Sequence, residues 1–149
     1  MDEAEARLAE FLAKFTPEIE ARATAIIAAM RARLPGAAIP VYDNYNALAV
    51  AFGASDRLRD VVFSIAVYPR WVSLFFARSV GLDDPLGVLK GEGNQVRHVV
   101  LSGPAALDEP AVADLMARAL ARAESPIDPT NSGGVVIKSV SANQRPRRP

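Results

Sequence analysis

Residues 60–77 read DVVFSIAVYPRWVSLFFA: two β-rich runs, Asp60 to Tyr68 and Trp71 to Ala77, joined only by Pro69-Arg70. So short a joint between runs dense in Val, Ile, Phe and Trp predicts an antiparallel hairpin. The expectation is that the Trp71 and Phe75 hairpin forms the core of the sheet. Upstream, Ile39 to Tyr42 and Ala47 to Phe52 are two more short apolar runs, parted by the turn-forming cluster Asp43-Asn44-Tyr45-Asn46. Downstream, Val96 to Leu101 predicts a further strand, and Val135 to Val140 a possible edge strand. Strands in consecutive order, not alternating with helices, predict an α+β fold with an antiparallel sheet of four to six strands. N-terminal helices and one C-terminal helix should pack on one face of it.

The helices are legible from period. Leu8, Phe11, Leu12, Phe15, Ile19, Ile26, Ile27, Met30 and Leu34 keep the three-to-four spacing of a buried stripe. Thr16-Pro17-Glu18 interrupts it with an N-cap, a first-turn proline and a first-turn acid, so a helix near 2–14 precedes one near 17–34. Pro35-Gly36 ends the second. Asp108 to Ala123 predicts the last helix, capped by Asp108, with Val112, Leu115, Met116, Ala119 and Leu120 as its stripe.

The chain has 149 residues, half of them hydrophobic, with 17 basic and 17 acidic side chains and no cysteine. That length suits one domain, since domains commonly hold about 100–150 residues. Residues 1–124 are assigned to the α+β domain. Residues 125–149 are assigned to a linker, the possible edge strand and a basic Pro/Arg-rich tail that should fray. Lys138, Arg145, Arg147 and Arg148 give 131–149 a charge of +4 and leave −4 on the rest. A mildly acidic body makes nucleic acid an unlikely partner, because phosphate affinity needs a clustered basic face. The lack of cysteine removes disulfides, thiolate metal sites and thiol nucleophiles. The acidic start and the absence of a long apolar run point to a cytoplasmic protein with no membrane span.

Ser64-Ile65-Ala66-Val67-Tyr68-Pro69-Arg70-Trp71-Val72-Ser73-Leu74-Phe75-Phe76 resembles part of the bacterial YdhG-like family, a domain of unknown function. So do Asp84-Pro85, Gly91-Glu92-Gly93 and Val96-Arg97-His98, the helices around Thr16-Pro17-Glu18, and the end Lys138-Ser139-Val140-Ser141 with Arg145-Pro146-Arg147-Arg148-Pro149. The likeness covers most of the chain and is most specific over 64–98. It implies a compact α+β domain without established catalytic residues, and some members carry an iron-chaperone label. The chain departs from the family at Asn94, where a basic residue is usual, and at 43–46, where Gly-x-Pro-x-aromatic is typical.

Candidate site residues are few. Lys90, Arg97 and His98 flank the glycines 91 and 93, whose amides could hold an anion. The plainer alternative is a strand in which Arg97 and His98 face opposite sides. Tyr45 and Asn46 suit a small polar ligand, and Arg70 with Trp71 could supply a cation and a stacking wall. A pocket between the 43–46 turn, the 90–98 loop and Arg70 is the expectation. One histidine supports neither a zinc hydrolase nor, without a nucleophile elbow, a Ser–His–Asp triad, and no metal or cofactor is expected. The acids Asp2, Glu3, Glu5, Glu10, Glu18 and Glu20 alternate with bases, and the pairs Glu3–Arg7, Glu10–Lys14 and Glu18–Arg22 account for them as a solvated helix face. The function this suggests is a non-enzymatic module for a small anionic or polar ligand. A homodimerising interaction domain comes second, and an iron-chaperone-like protein third.

Overall fold

The computed structural model describes residues 2–78, 82, 84, 87–91 and 96–149. Pro85, Glu92, Gly93 and Asn94, named in the sequence reading, lie outside the described residues. Helix α1 spans Glu3–Leu12 and opens on Asp2, whose carboxylate accepts the Glu5 N–H at 2.8 Å. Helix α2 spans Pro17–Arg33 behind the cap Thr16. Five strands follow: β1 Ala38–Asp43, β2 Leu48–Gly53, β3 Val61–Val67, β4 Val72–Phe76 and β5 Arg97–Leu101. A short turn at 104–108, helix α3 (Pro110–Arg122) and β6 (Gly134–Val140) complete the fold. Each boundary falls within about two residues of the sequence reading. Asp108 is the exception: it is not the cap of α3 but pairs with Arg33 on α2.

The sheet order is β5-β4-β3-β2-β1-β6. Neighbours among the first five pair antiparallel, but β6 lies parallel to β1, so the sheet is mixed and only mostly antiparallel. The cause is geometric. Strands β5 and β6 point the same way from opposite edges, so the chain must return along the sheet between them, and α3 makes that return.

All three helices lie on one face. Their buried residues share a single core with Leu48, Val50 and Phe52 of β2, Phe63, Ile65 and Val67 of β3, and Val72, Leu74 and Phe76 of β4. Register then decides the rest. The intervening residues Ala49, Ala51, Ser64, Ala66, Ser73 and Phe75 belong to the opposite face. Phe75 is therefore not core, and Trp71, exposed by 42%, is not either. This corrects the expectation for the hairpin, whose core contribution comes from Phe63 and Phe76 in edge-to-face contact at 5.4 Å. Ser73 is on that opposite side yet wholly buried, and its hydroxyl has no partner among the described residues. Ser73→Ala should thus leave stability unchanged or raise it by about 1 kcal/mol, read from a urea midpoint.

Gly36 ends α2 at φ +81°, and a Cβ there would sit 2.0 Å from the Asp128 carbonyl oxygen. That close approach seats the linker segment at Asp128 and Pro129 against the helix end. The tail after β6 does not fray. Gln144 donates to the Asp43 carbonyl at 3.1 Å, Arg145 donates its backbone N–H to Tyr45 at 2.9 Å, and Arg147 is buried. No helix is long and apolar enough to cross a membrane among the described residues.

Candidate functional site

The face opposite the helices is paved with small residues. Ala49 and Ala51 of β2 pair with Ala66 and Ser64 of β3, and Phe75 of β4 lies beside Ser64. Tyr42, Tyr45 and Tyr68 stand around this floor, and together they bound an open trough of about 730 Å³. An uncovered antiparallel face is usually polar. This one is alanine under aromatic walls, because side chains stopping at Cβ leave room that Val or Ile would fill.

At one end of the trough, the 43–46 turn and the β3–β4 turn come together. The Asn44 N–H bonds the Ala47 carbonyl at 3.0 Å, and the Tyr68 N–H bonds that of Trp71 at 2.9 Å, so both turns are tight. The Trp71 and Tyr68 rings stack at 4.8 Å with planes 22° apart. Burial pushes the Tyr68 phenol up, which keeps it a hydrogen-bond donor at neutral pH. Asn46, Tyr68, Arg70 and Trp71 line a second pocket of about 560 Å³ with Arg145 and Arg148 from the tail. Of the sequence candidates, Asn46, Arg70 and Trp71 therefore converge, and Tyr45 stands on the adjoining trough wall.

Lys90, Arg97 and His98 do not join them. Arg97 pairs with Phe76 and Leu101 with Val72, so Arg97 sits four residues along the sheet from the β3–β4 turn, roughly 13 Å at the strand rise. Arg97 and His98 face opposite sides, as strand geometry requires. The His98 ring stacks on Phe75 at 4.9 Å on the trough side, and its backbone exchanges two hydrogen bonds with Lys90. The single expected pocket is thus divided, with the turn and Arg70 at one end of the sheet and 90–98 at the other. Comparison with family models, with curated proteins and with solved structures finds no match for this chain. The site therefore has to be read from its own geometry.

Two side chains missed by the sequence reading hold the tail in place. Asp43 is 0% exposed and accepts from Arg147 at 2.8 Å and from Lys14 at 2.7 Å. Lys14 thus pairs with Asp43 and not with the expected Glu10. Arg147 also donates to the Asn44 and Tyr45 carbonyls, and its guanidinium lies over the Phe15 ring. Arg147 carries the tail past the 43–46 turn, which is why Arg145 and Arg148 reach the pocket. Elsewhere on the helices, Glu18–Arg22 forms as expected at 3.1 Å, whereas Arg7 lies over Phe11 and Glu5 makes a bidentate pair with Arg31. Among the described residues no group of three or more His, Asp or Glu converges to hold a metal ion.

Proposed function

We propose that the protein is a non-enzymatic module that binds a small organic ligand on the uncovered face of its sheet. The observation that carries this reading is the floor of Ala49, Ala51, Ser64 and Ala66 under Tyr68 and Phe75, which bounds a volume of about 730 Å³. Ligand sites are commonly apolar concavities of this size with a few polar groups at the rim. Asn46 and the Tyr68 phenol supply such groups here. The sole histidine is stacked on Phe75, which suits a wall better than a proton shuttle.

The test is to fill the trough. Nile red, a neutral dye whose emission shifts in apolar surroundings, should bind the wild-type protein saturably. Ala49→Phe should weaken that binding by about tenfold or more while leaving the melting temperature within a few degrees. No saturable emission change, or equal affinity in the variant, overturns the reading.

A homodimer is the second reading, favoured by Val96 and Val100, exposed by 47% and 49% at the edge that continues the trough. Such a dimer would bury the trough wall. Sedimentation as a monomer across a wide concentration range would remove it. For an iron-delivery role the described residues offer no donor cluster, and it stands third.

A further inference from the structure

We infer that the pocket at the Arg70 end of the trough is an anion subsite, and that the ligand is a small organic anion with a planar apolar body. The inference rests on the open-face reading and gives that site its ligand class. Three observations carry it. First, Arg70, Arg145 and Arg148 surround one pocket of about 560 Å³ that no Asp or Glu lines among the described residues. Asp43, under the tail, is already paired with Lys14 and Arg147, so it neutralises none of the three. Of these three guanidiniums, only that of Arg148 has a hydrogen-bond partner among the described residues, the Lys14 carbonyl at 3.2 Å. Second, the pocket wall is aromatic. Trp71, 42% exposed and backed by Tyr68, offers an indole face to a flat ring. Third, Asn46 and Tyr68 border both the pocket and the trough, so an anionic group among the arginines would lead its apolar body onto the alanine floor.

The chemistry selects the ligand. Guanidinium groups bind carboxylate or phosphate in a planar, two-pronged geometry and hold their charge at any physiological pH. An inorganic anion alone would leave the aromatic wall and the trough unused. A neutral aromatic would leave the guanidiniums without the two-pronged oxyanion partner they favour. A molecule with both parts satisfies both, and the tail is what assembles the subsite, since Arg145 and Arg148 reach it on the docked segment that Arg147 locks against Asp43.

Trp71 is the only tryptophan in the chain, so its fluorescence reads this pocket directly. The experiment titrates full-length protein with 2-naphthoate and with its neutral counterpart, 2-naphthylmethanol. Naphthoate should quench Trp71 saturably, bind about tenfold more tightly than the alcohol, and weaken as salt is raised. Arg70→Gln and Arg145→Gln should each cost naphthoate about tenfold while leaving the alcohol and the melting temperature unchanged. Inorganic phosphate in excess should displace naphthoate but not the alcohol. Equal affinity for the two probes, or naphthoate binding unchanged in both arginine variants, overturns the anion subsite. If Nile red still binds in that case, the open-face reading survives alone. If Nile red and both naphthalene probes all fail to bind, the two fall together.

Discussion

Arg147→Ala should destabilise the protein by about 3–5 kcal/mol, the range seen when one partner of a buried ion pair is removed. Arg147 is 6% exposed and Asp43 fully buried, so truncation leaves a carboxylate in the interior that keeps Lys14 and Gln144 but loses its second cation. It also strips the Asn44 and Tyr45 carbonyls of a donor and the Phe15 ring of its cover. Urea unfolding at pH 7 gives the number directly. Removing the charge from both sides should be much milder. Asp43→Leu combined with Arg147→Met leaves no orphaned charge, and apolar replacement of a buried pair is often near neutral. A loss below about 1 kcal/mol in Arg147→Ala would mean that the tail does not dock as described.

The same pair sets an acid limit. Burial alone would push the Asp43 carboxyl up, but hydrogen bonds from Lys14, Gln144 and Arg147 outweigh it and hold it below its usual value. A carboxyl held lower in the folded state contributes stability above the unfolded value, near pH 4, and loses it as pH falls through the folded value. The wild type should therefore lose stability steeply on the acid side of about pH 4. The double variant, having no Asp43 to protonate, should show a shallower acid limb in the same scan.

Much of the fold was legible because its signals are local. Thr16-Pro17 starts a helix and Pro35-Gly36 stops one wherever they sit, and the tight Pro69-Arg70 joint admits little but a hairpin. The convergence of Asn46 with Arg70 and Trp71 follows from that topology, since two antiparallel neighbours put their turns at the same end. Which face of the sheet is buried was harder to read. In the hairpin the residues of both parities are apolar, so Phe75 competes with Phe76 for the core on size alone. The clue lay one strand away: Leu48, Val50 and Phe52 alternate with Ala49 and Ala51, and register carries that large-in, small-out pattern across to Phe63 and Phe76. The tail could not be read at all from local pattern. Arg147 meets Asp43 across 104 residues of sequence, and a Pro/Arg-rich terminus has the composition of a solvated end. Arg145 and Arg148 went unread with it, so the sequence pointed to the glycines near Arg97, whereas the anion subsite proposed from the structure lies at the opposite end of the sheet.

The facing of the hairpin gives the second large effect. Phe63→Ala should cost about 3–5 kcal/mol, the usual loss for a buried phenylalanine, because the ring is wholly enclosed and its removal opens a cavity between the helix layer and the sheet. Its edge-to-face contact with Phe76 at 5.4 Å and 85° adds a share that no aliphatic neighbour could restore. Phe75→Ala, twelve residues on and of the same chemistry, should cost only about 1 kcal/mol. That ring is half-buried on the opposite face, where it loses a stack on His98 and leaves space open to solvent instead of a void. Guanidinium unfolding of the two variants side by side measures the difference, and Nile red titration of Phe75→Ala should show weakened binding on a fold that remains intact. Equal losses from the two substitutions would put Phe75 in the core and close the trough, and the binding site with it.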